Sequence, residues 1–152
     1  GRTCLTMKIY LASDHAGVAL KRFLSEKLSE QGYSAVDLGP QEVIPEDDYP
    51  DMVIPCAEKV VTDGALGIVI GGSGQGEAIA ANRVPGARAI VWYGGSLDIV
   101  RLGREHNDAN LLSLGARFIG EEEALEAATL FLKTAFTGEE RHVRRIAKLD
   151  AQ

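Results

Sequence analysis

Cysteine is almost missing from this chain: two in 152 residues, Cys4 and Cys56, with neither metal-ligand nor redox spacing between them. That excludes a disulfide-stapled secreted scaffold and suits a reducing cytoplasm. An excess of positive charge is missing too. The 16 Lys and Arg face 22 Asp and Glu, a formal net charge of -6, which argues against a general nucleic-acid binder with its basic contact face. Long apolar runs are absent: none approaches the roughly 20 residues that span a bilayer, so no membrane partner is expected. Residues 1–6 lack the charged-then-apolar build of a secretory signal. They read as a leader, native or introduced in cloning, ahead of a start at Met7. No low-complexity tract, internal repeat or linker divides the rest, so residues 7–152 are expected to form a single domain that buries about two-thirds of its unfolded surface.

What the chain does have is a glycine-rich stretch around which the rest can be placed, ALGIVIGGSGQGEAIAANRVPGARAIVW from Ala65 to Trp92. Leu66–Ile70 is a short apolar, partly β-branched run without alternation, the pattern of a parallel strand covered on both faces. Gly71, Gly72, Gly74 and Gly76 then allow a sharp turn into a helix, whose free N–H groups form a site for an anion. The spacing from Gly71 to Gly76 is that of a P-loop, but Glu77 and Ala78 stand where Lys and Ser or Thr are required. The dinucleotide fingerprint fails as well, because Glu77 occupies its third glycine position. A carboxylate aimed at a di- or triphosphate would repel it. Two readings stay open on the loop alone. Either the amides stabilise an anion that forms during a reaction while Glu77 moves the proton, or the turn is simply tight and Glu77 complements the helix dipole.

The flanking segments alternate strand and helix. Lys8–Ser13 reads as the first strand and ends in Asp14-His15-Ala16-Gly17, ahead of a helix from Val18 to Gln31. Ligands of an open parallel sheet gather at the carboxyl ends of its strands, so Asp14 and His15 are candidate site residues, with helix capping the alternative for Asp14. Ser34–Leu38 is a second strand. The proline-punctuated loop 39–51 leads into a helix ending at about Asp63; Asp47, Asp48 and Asp51 are expected to complement its positive end, and Tyr49 to pack, with lining a pocket the alternative. After the glycine turn come a helix over about Ser73–Asn82, a strand Ala87–Trp92 and a helix from about Ser96 to Arg104. Glu105-His106-Asn107-Asp108 ends that helix, and the strand Asn110–Leu114 is followed by Gly115-Ala116-Arg117. Glu121–Thr134 and Glu139–Leu149 complete the chain as helices. Arg141 and Arg145 sit i, i+4 on one face of the last, two forks suited to a phosphate monoester; Arg144 and Lys148 repeat the spacing beside them. A solvated basic face is the other reading.

With these pieces assembled, the sequence resembles the type B ribose-5-phosphate isomerases and their relatives, including the galactose-6-phosphate isomerase subunits. The likeness runs from Lys8 to about Leu149. It rests on SDHAG at Ser13–Gly17, DYPD at Asp48–Asp51, GGSGQGEAIAAN at Gly71–Asn82, REHNDANLL at Arg104–Leu112 and the Arg141–Arg145 segment, all in order. The resemblance implies a Rossmann-like three-layer α/β/α sandwich with a five-stranded parallel sheet and an extra C-terminal helix. It implies a homodimer or homotetramer with active sites shared between subunits, and no metal or cofactor. The activity it implies is aldose–ketose isomerisation of a small sugar phosphate, a proton moving between C2 and C1 through an enediolate. Members of the family divide at the catalytic base; with Gly71 in the cysteine position and Glu77 in the glutamate position, this chain falls in the glutamate branch.

On that resemblance Glu77 is the proton acceptor. The backbone N–H groups of Gly72, Ser73, Gly74, Gln75 and Gly76, with the Ser73 hydroxyl, hold the enediolate oxygens. His106 protonates the ring oxygen, with Asp14 beside it handling a sugar hydroxyl, and Asn107 holds the sugar. His15, Arg117, Arg141 and Arg145 bind the phosphate or neighbouring hydroxyls, the last two from the partner subunit. Ribose 5-phosphate to ribulose 5-phosphate is the leading reaction; galactose, allose or four-carbon sugar phosphates would need the same chemistry in a pocket of different depth. From another class comes a non-catalytic phosphometabolite-binding module, and a third reading is a non-catalytic subunit of a hetero-oligomer. Glu77 in the lysine position and a histidine at each of two further motifs weigh against the module, since binding alone needs neither.

Overall fold

The computed structural model describes residues 7–152; the expected leader, 1–6, lies outside the described residues. Five strands, β1 (Lys8–Ser13), β2 (Ser34–Asp37), β3 (Leu66–Gly71), β4 (Ala89–Trp92) and β5 (Leu111–Gly115), form one parallel sheet in the order β2-β1-β3-β5-β4. Around it lie α1 (Val18–Glu30), α2 (Tyr49–Asp63), α3 (Gln75–Asn82), α4 (Asp98–Asn107), α5 (Glu121–Lys133) and the additional α6 (Glu140–Asp150). This is the three-layer sandwich with an extra C-terminal helix that the alternation of segments and the resemblance lead one to expect. No helix among the described residues is long and apolar enough to cross a membrane.

The unalternating apolar strands follow from two cores. Ile9, Leu11, Ile68, Ile70, Leu112 and Leu114 point to one face, where Leu24 and Leu28 of α1, Val100 of α4 and Phe131 of α5 meet them. Tyr10, Ala12, Val69 and Leu111 point to the other, against Val53, Cys56 and Val60 of α2 and Ala80 and Ala81 of α3. Each fully buried leucine, isoleucine or valine contributes about 1.5–3 kcal/mol relative to an exposed one, so polar residues are excluded from both faces along most of each strand. Cys56 belongs to this packing, its thiol pushed up to about 12 by burial; it is an inert core residue.

Two devices fix where the strands end. After β1 the chain takes one 3-10 turn, His15–Gly17, and a Cβ at Gly17 would lie 2.6 Å from Ile70 Cγ2, so only glycine lets this turn close onto β3. Lys21 of α1 is fully buried and paired with Asp37 at 2.6 Å, while the same carboxylate accepts the Gly39 N–H at 2.8 Å. The sheet order changes direction between β1 and β3. Their carboxyl ends therefore frame the crevice where ligands of such sheets bind.

The structure differs from the sequence expectation at α4, which starts at Asp98 and runs on through Asn107. Asp108 then stops it in the left-handed conformation, φ 46. Arg104 explains the extension. It is buried, donates to the carbonyls of Ala109 at 2.6 Å and Thr134 at 3.0 Å, pairs with Asp108 at 3.0 Å, and lies over the Phe131 ring. These contacts hold the final turn against α5, so His106 and Asn107 are helical residues.

Candidate active site

At the carboxyl ends of β1, β3 and β5 the chain brings together Asp14, His15, the turn from Gly72 to Gly76, Glu77 and Arg117. The turn holds its shape because Gly74 is left-handed, φ 82, and its carbonyl accepts the buried Ser113 hydroxyl of β5 at 2.7 Å. Helix α3 consequently begins at Gln75, two residues later than the sequence suggests. Among the described residues no backbone carbonyl accepts from the N–H groups of Gly72, Ser73 or Gly74; the Gln75 N–H donates to the Ser73 hydroxyl at 3.3 Å. The Arg117 guanidinium lies along Gly72, close enough that a Cβ there would stand 3.1 Å from its Nη1. These donors and the helix's positive end lie together at the turn, an arrangement suited to a forming anion.

Glu77 sits in the first turn of α3 with its side chain folded inward, 3% exposed. Burial pushes its carboxyl up to about 7, the hydrogen bond that its protonated form donates to Asp14 and the charges of Asp14 and Asp47 adding to the rise, while the backbone amide of Glu77 itself opposes it. A carboxylate so placed is a far better base near neutral pH than one in water. His15 is held by Asp47, Nδ1 to Oδ1 at 2.9 Å. That hydrogen bond raises the imidazole above its ordinary value, against the effects of desolvation and of Arg117.

His106, Asn107, Arg141 and Arg145 are elsewhere. The last turn of α4 leads into Asn110, which exchanges hydrogen bonds with Arg88 just ahead of β4, at the amino ends of the strands. Gly71, against which Glu77 lies, pairs with Gly115 at the other end of β5. The five residues of β5 at a rise of about 3.3 Å each separate the two groups by roughly 16 Å. In one chain, then, Asp14 is not beside His106, as the sequence reading had it; an antiparallel helix returning under β4 has to end at the opposite edge. A cavity of about 520 Å³ at that edge has Asn107 in its wall and nothing from the glycine turn. On α6, Arg141 pairs with Glu139 and Arg144 with Glu140, while Arg145 makes no ion pair among the described residues.

Comparison with known proteins decides the family. The family model for ribose/galactose isomerases matches residues 9–149. The chain belongs to the ribose/galactose isomerase family. Ribose-5-phosphate isomerase B of Mycobacterium tuberculosis is 45% identical over 142 residues, 92% of this chain and 86% of that protein. The structure of ribose-5-phosphate isomerase B from Mycoplasma genitalium with bound ribulose-5-phosphate superposes with a TM-score of 0.91 at 39% identity, covering 97% of each chain. The type B ribose 5-phosphate isomerase of Trypanosoma brucei gives a TM-score of 0.90 at 35% identity, covering 97% of this chain and 99% of that one.

Within this ribose/galactose isomerase, three side chains join the two groups that reasoning from sequence left out of the site. Asp47, expected only to complement a helix, instead holds His15, and Asp48 at the start of α2 makes no side-chain cap. Tyr49 lies over Gly76, where an added Cβ would be 2.6 Å from its Cζ. The DYPD motif, which contains Tyr49 and directly follows Asp47, was the available signal. His142 stacks on His106 at 4.3 Å between ring centroids, and no spacing in the sequence announces it.

Gly71 carries a prediction of its own. A Cβ there would stand 2.1–2.2 Å from the Glu77 carboxyl atoms, so a side chain at 71 and an inward Glu77 compete for one volume. Gly71→Ala is expected to lower turnover by about two orders of magnitude by turning the carboxylate aside. Its melting temperature should move little, because the displaced atoms are the free end of a flexible chain. Steady-state kinetics beside a thermal melt check both parts.

Proposed function

We propose that this protein interconverts ribose 5-phosphate and ribulose 5-phosphate through an enediolate, with Glu77 as the base. The observation that carries the reading is a buried carboxylate, raised to about 7, against a turn of unengaged amides. The relative from M. genitalium, alike along 97% of its length, holds ribulose-5-phosphate.

Imidazolium of His106 gives a proton to O4 as the C1–O4 bond breaks, while the O1 hydroxyl releases its own to a carboxylate such as Asp14, leaving the open aldehyde. Glu77 removes the C2 proton; the C–H electrons form the C1=C2 bond, and the carbonyl electrons move onto O1. A carbon acid of this kind is too weak for a carboxylate in water, so the charge must be stabilised as it forms. Each well-placed amide donor at the turn is worth about 3–4 kcal/mol in the transition state. Glu77 then returns the proton to C1 as the O2 hydroxyl passes its own proton to the O1 oxyanion, giving the ketose. Binding of the distant phosphate by His15, Arg117, Arg141 and Arg145 orients C1 and C2 over the base.

Because His106 and Glu77 lie at opposite edges of one sheet, the working site in this reading joins the glycine turn of one copy to the α4–α6 corner of another. The two halves are complementary. One carries Glu77, Asp14 and Asp47, the other His106, Arg141 and Arg145. Exposed apolar residues stand beside each, Phe118 (64%) and Ile79 (57%) near the turn and Val143 (48%) on α6, as a surface covered on dimerisation would have.

Assay of four- to six-carbon aldose phosphates for ketose formation tests the substrate, with kcat/KM expected to be highest for ribose 5-phosphate. A preference for a six-carbon sugar by tenfold or more would reassign it. The His15–Asp47 pair adds a pH dependence. Since its raised imidazole stays cationic to higher pH, its share of phosphate affinity is complete below the ordinary value of 6.5 and fades as pH climbs through the raised one. Asp47→Asn should move that loss to lower pH, so that inhibition by inorganic phosphate at pH 7–8 weakens severalfold while at pH 5.5 it changes little.

A further inference from the structure

His142 has no part in the mechanism above, yet its surroundings are those of a working residue. It lies in the first turn of α6, 5% exposed, and its Nε2 is buried without a hydrogen-bond partner. Among the described residues only two other buried side-chain atoms share that condition, Ser13 Oγ and Asp47 Oδ2. Both of those flank the Asp14–His15 segment. A buried imidazole nitrogen without a partner opposes folding, so an apolar residue would serve the packing of α6 better. What His142 does make is a face-to-face contact: its ring lies 4.3 Å from that of His106, the planes 19° apart. The segment before it is pinned to α4 by the Thr137 N–H, which donates to the Glu105 carbonyl at 3.1 Å. His106, half-exposed at a helix end, has no side-chain hydrogen bond among the described residues to fix its ring.

We propose that His142 is a positioning residue for ring opening, its imidazole serving as a fixed flat wall that holds the His106 ring in the plane from which it protonates the sugar ring oxygen. The inference rests on the reading of His106 as that acid. Burial together with the nearby Arg141, Arg145 and His106 keeps the His142 imidazole below its ordinary value, Glu139 alone opposing. The wall is thus uncharged near neutral pH.

Substrate chemistry separates this role from a structural one. Ribulose 5-phosphate cannot close a five-membered ring, because the hydroxyl that would attack C2 carries the phosphate. Exchange of its C1 hydrogen with solvent therefore needs only Glu77 and the enediolate donors, whereas ketose formation from ribose 5-phosphate needs ring opening first. His142→Leu fills the space without a flat face, and His142→Phe keeps the face. The Leu variant should lose about 10- to 100-fold in kcat from ribose 5-phosphate, while deuterium entry at C1 of ribulose 5-phosphate in D2O stays within about twofold. The Phe variant should remain within about threefold of wild type in both. Both variants remove the same buried nitrogen, so thermal melts and elution volumes should match. In the unaltered protein the His106 ring protons should be shifted upfield by the stacked ring.

The proposal is overturned if the Leu variant keeps full aldose turnover, if it loses turnover and exchange by the same factor, or if Leu and Phe behave alike. Unshifted His106 ring protons overturn it even if neither variant folds. A wild-type protein that neither isomerises nor exchanges would instead remove the isomerase reading, and this inference with it.

Discussion

Mixed in equal amounts, a Glu77→Gln variant and a His106→Asn variant, each nearly inactive alone, should regain roughly a quarter of wild-type activity once subunits exchange. The reason is geometric. In one chain the two residues lie at opposite ends of the sheet, so a site using both must draw them from different copies. Random pairing makes about half the dimers mixed, and each mixed dimer has one site with both residues intact and one with neither. That gives about one good site in four. Activity appearing with time after mixing, and scaling with the mixed species resolved by mass, is the measurement. Were both residues used from the same chain, no mixture could recover, whatever the oligomer.

Replacing Glu77 by glutamine is expected to change stability and turnover in opposite directions. The Glu77 carboxyl is raised to about 7 from an ordinary 4.5. Such a group has no effect on the folding equilibrium below 4.5, where folded and unfolded chains are both protonated. As pH climbs from 4.5 to 7 the unfolded chain ionises first, and the folded chain loses stability relative to it, levelling off above 7. At 1.36 kcal/mol per pKa unit, the wild type gives up at most about 3 kcal/mol by pH 8. Glutamine cannot ionise. Glu77→Gln should therefore melt roughly 5–10 °C above wild type at pH 8 and close to it at pH 4.5. Its kcat should fall by about two to four orders of magnitude. Equal melting curves at both pH values would show that the carboxylate is not destabilised by its surroundings.

Much of this was readable in the chain. The fold was, because parallel strands buried on both faces write themselves as unbroken apolar runs, and helix stops such as Gly64 are explicit. So was the half-site at the carboxyl ends, since Asp14 and His15 directly follow β1, Glu77 follows the turn after β3, and strand ends converge in any open parallel sheet. Asp47 was not. Its value comes from His15 folding back onto it, a contact across 32 positions, whereas local reasoning sees an acid near a helix start. His106 was misplaced for a related reason: the sequence puts it at a helix end without saying which edge of the sheet that end reaches. Strand order decides it, since α4 descends beneath an edge strand. His142 was silent, because a lone histidine in a basic helix has no spacing to a ring 36 residues earlier.

Whether Glu77 moves the proton is most directly tested by following the carbon-bound hydrogens of ribulose 5-phosphate in D2O by NMR, with wild type and Glu77→Gln side by side. Wild type is expected to introduce deuterium at C1 and to yield ribose 5-phosphate. The variant should still protect its fold on binding the sugar, yet leave C1 undeuterated over the same interval. Deuterium entering at near the wild-type rate without that carboxylate would contradict the account at its centre.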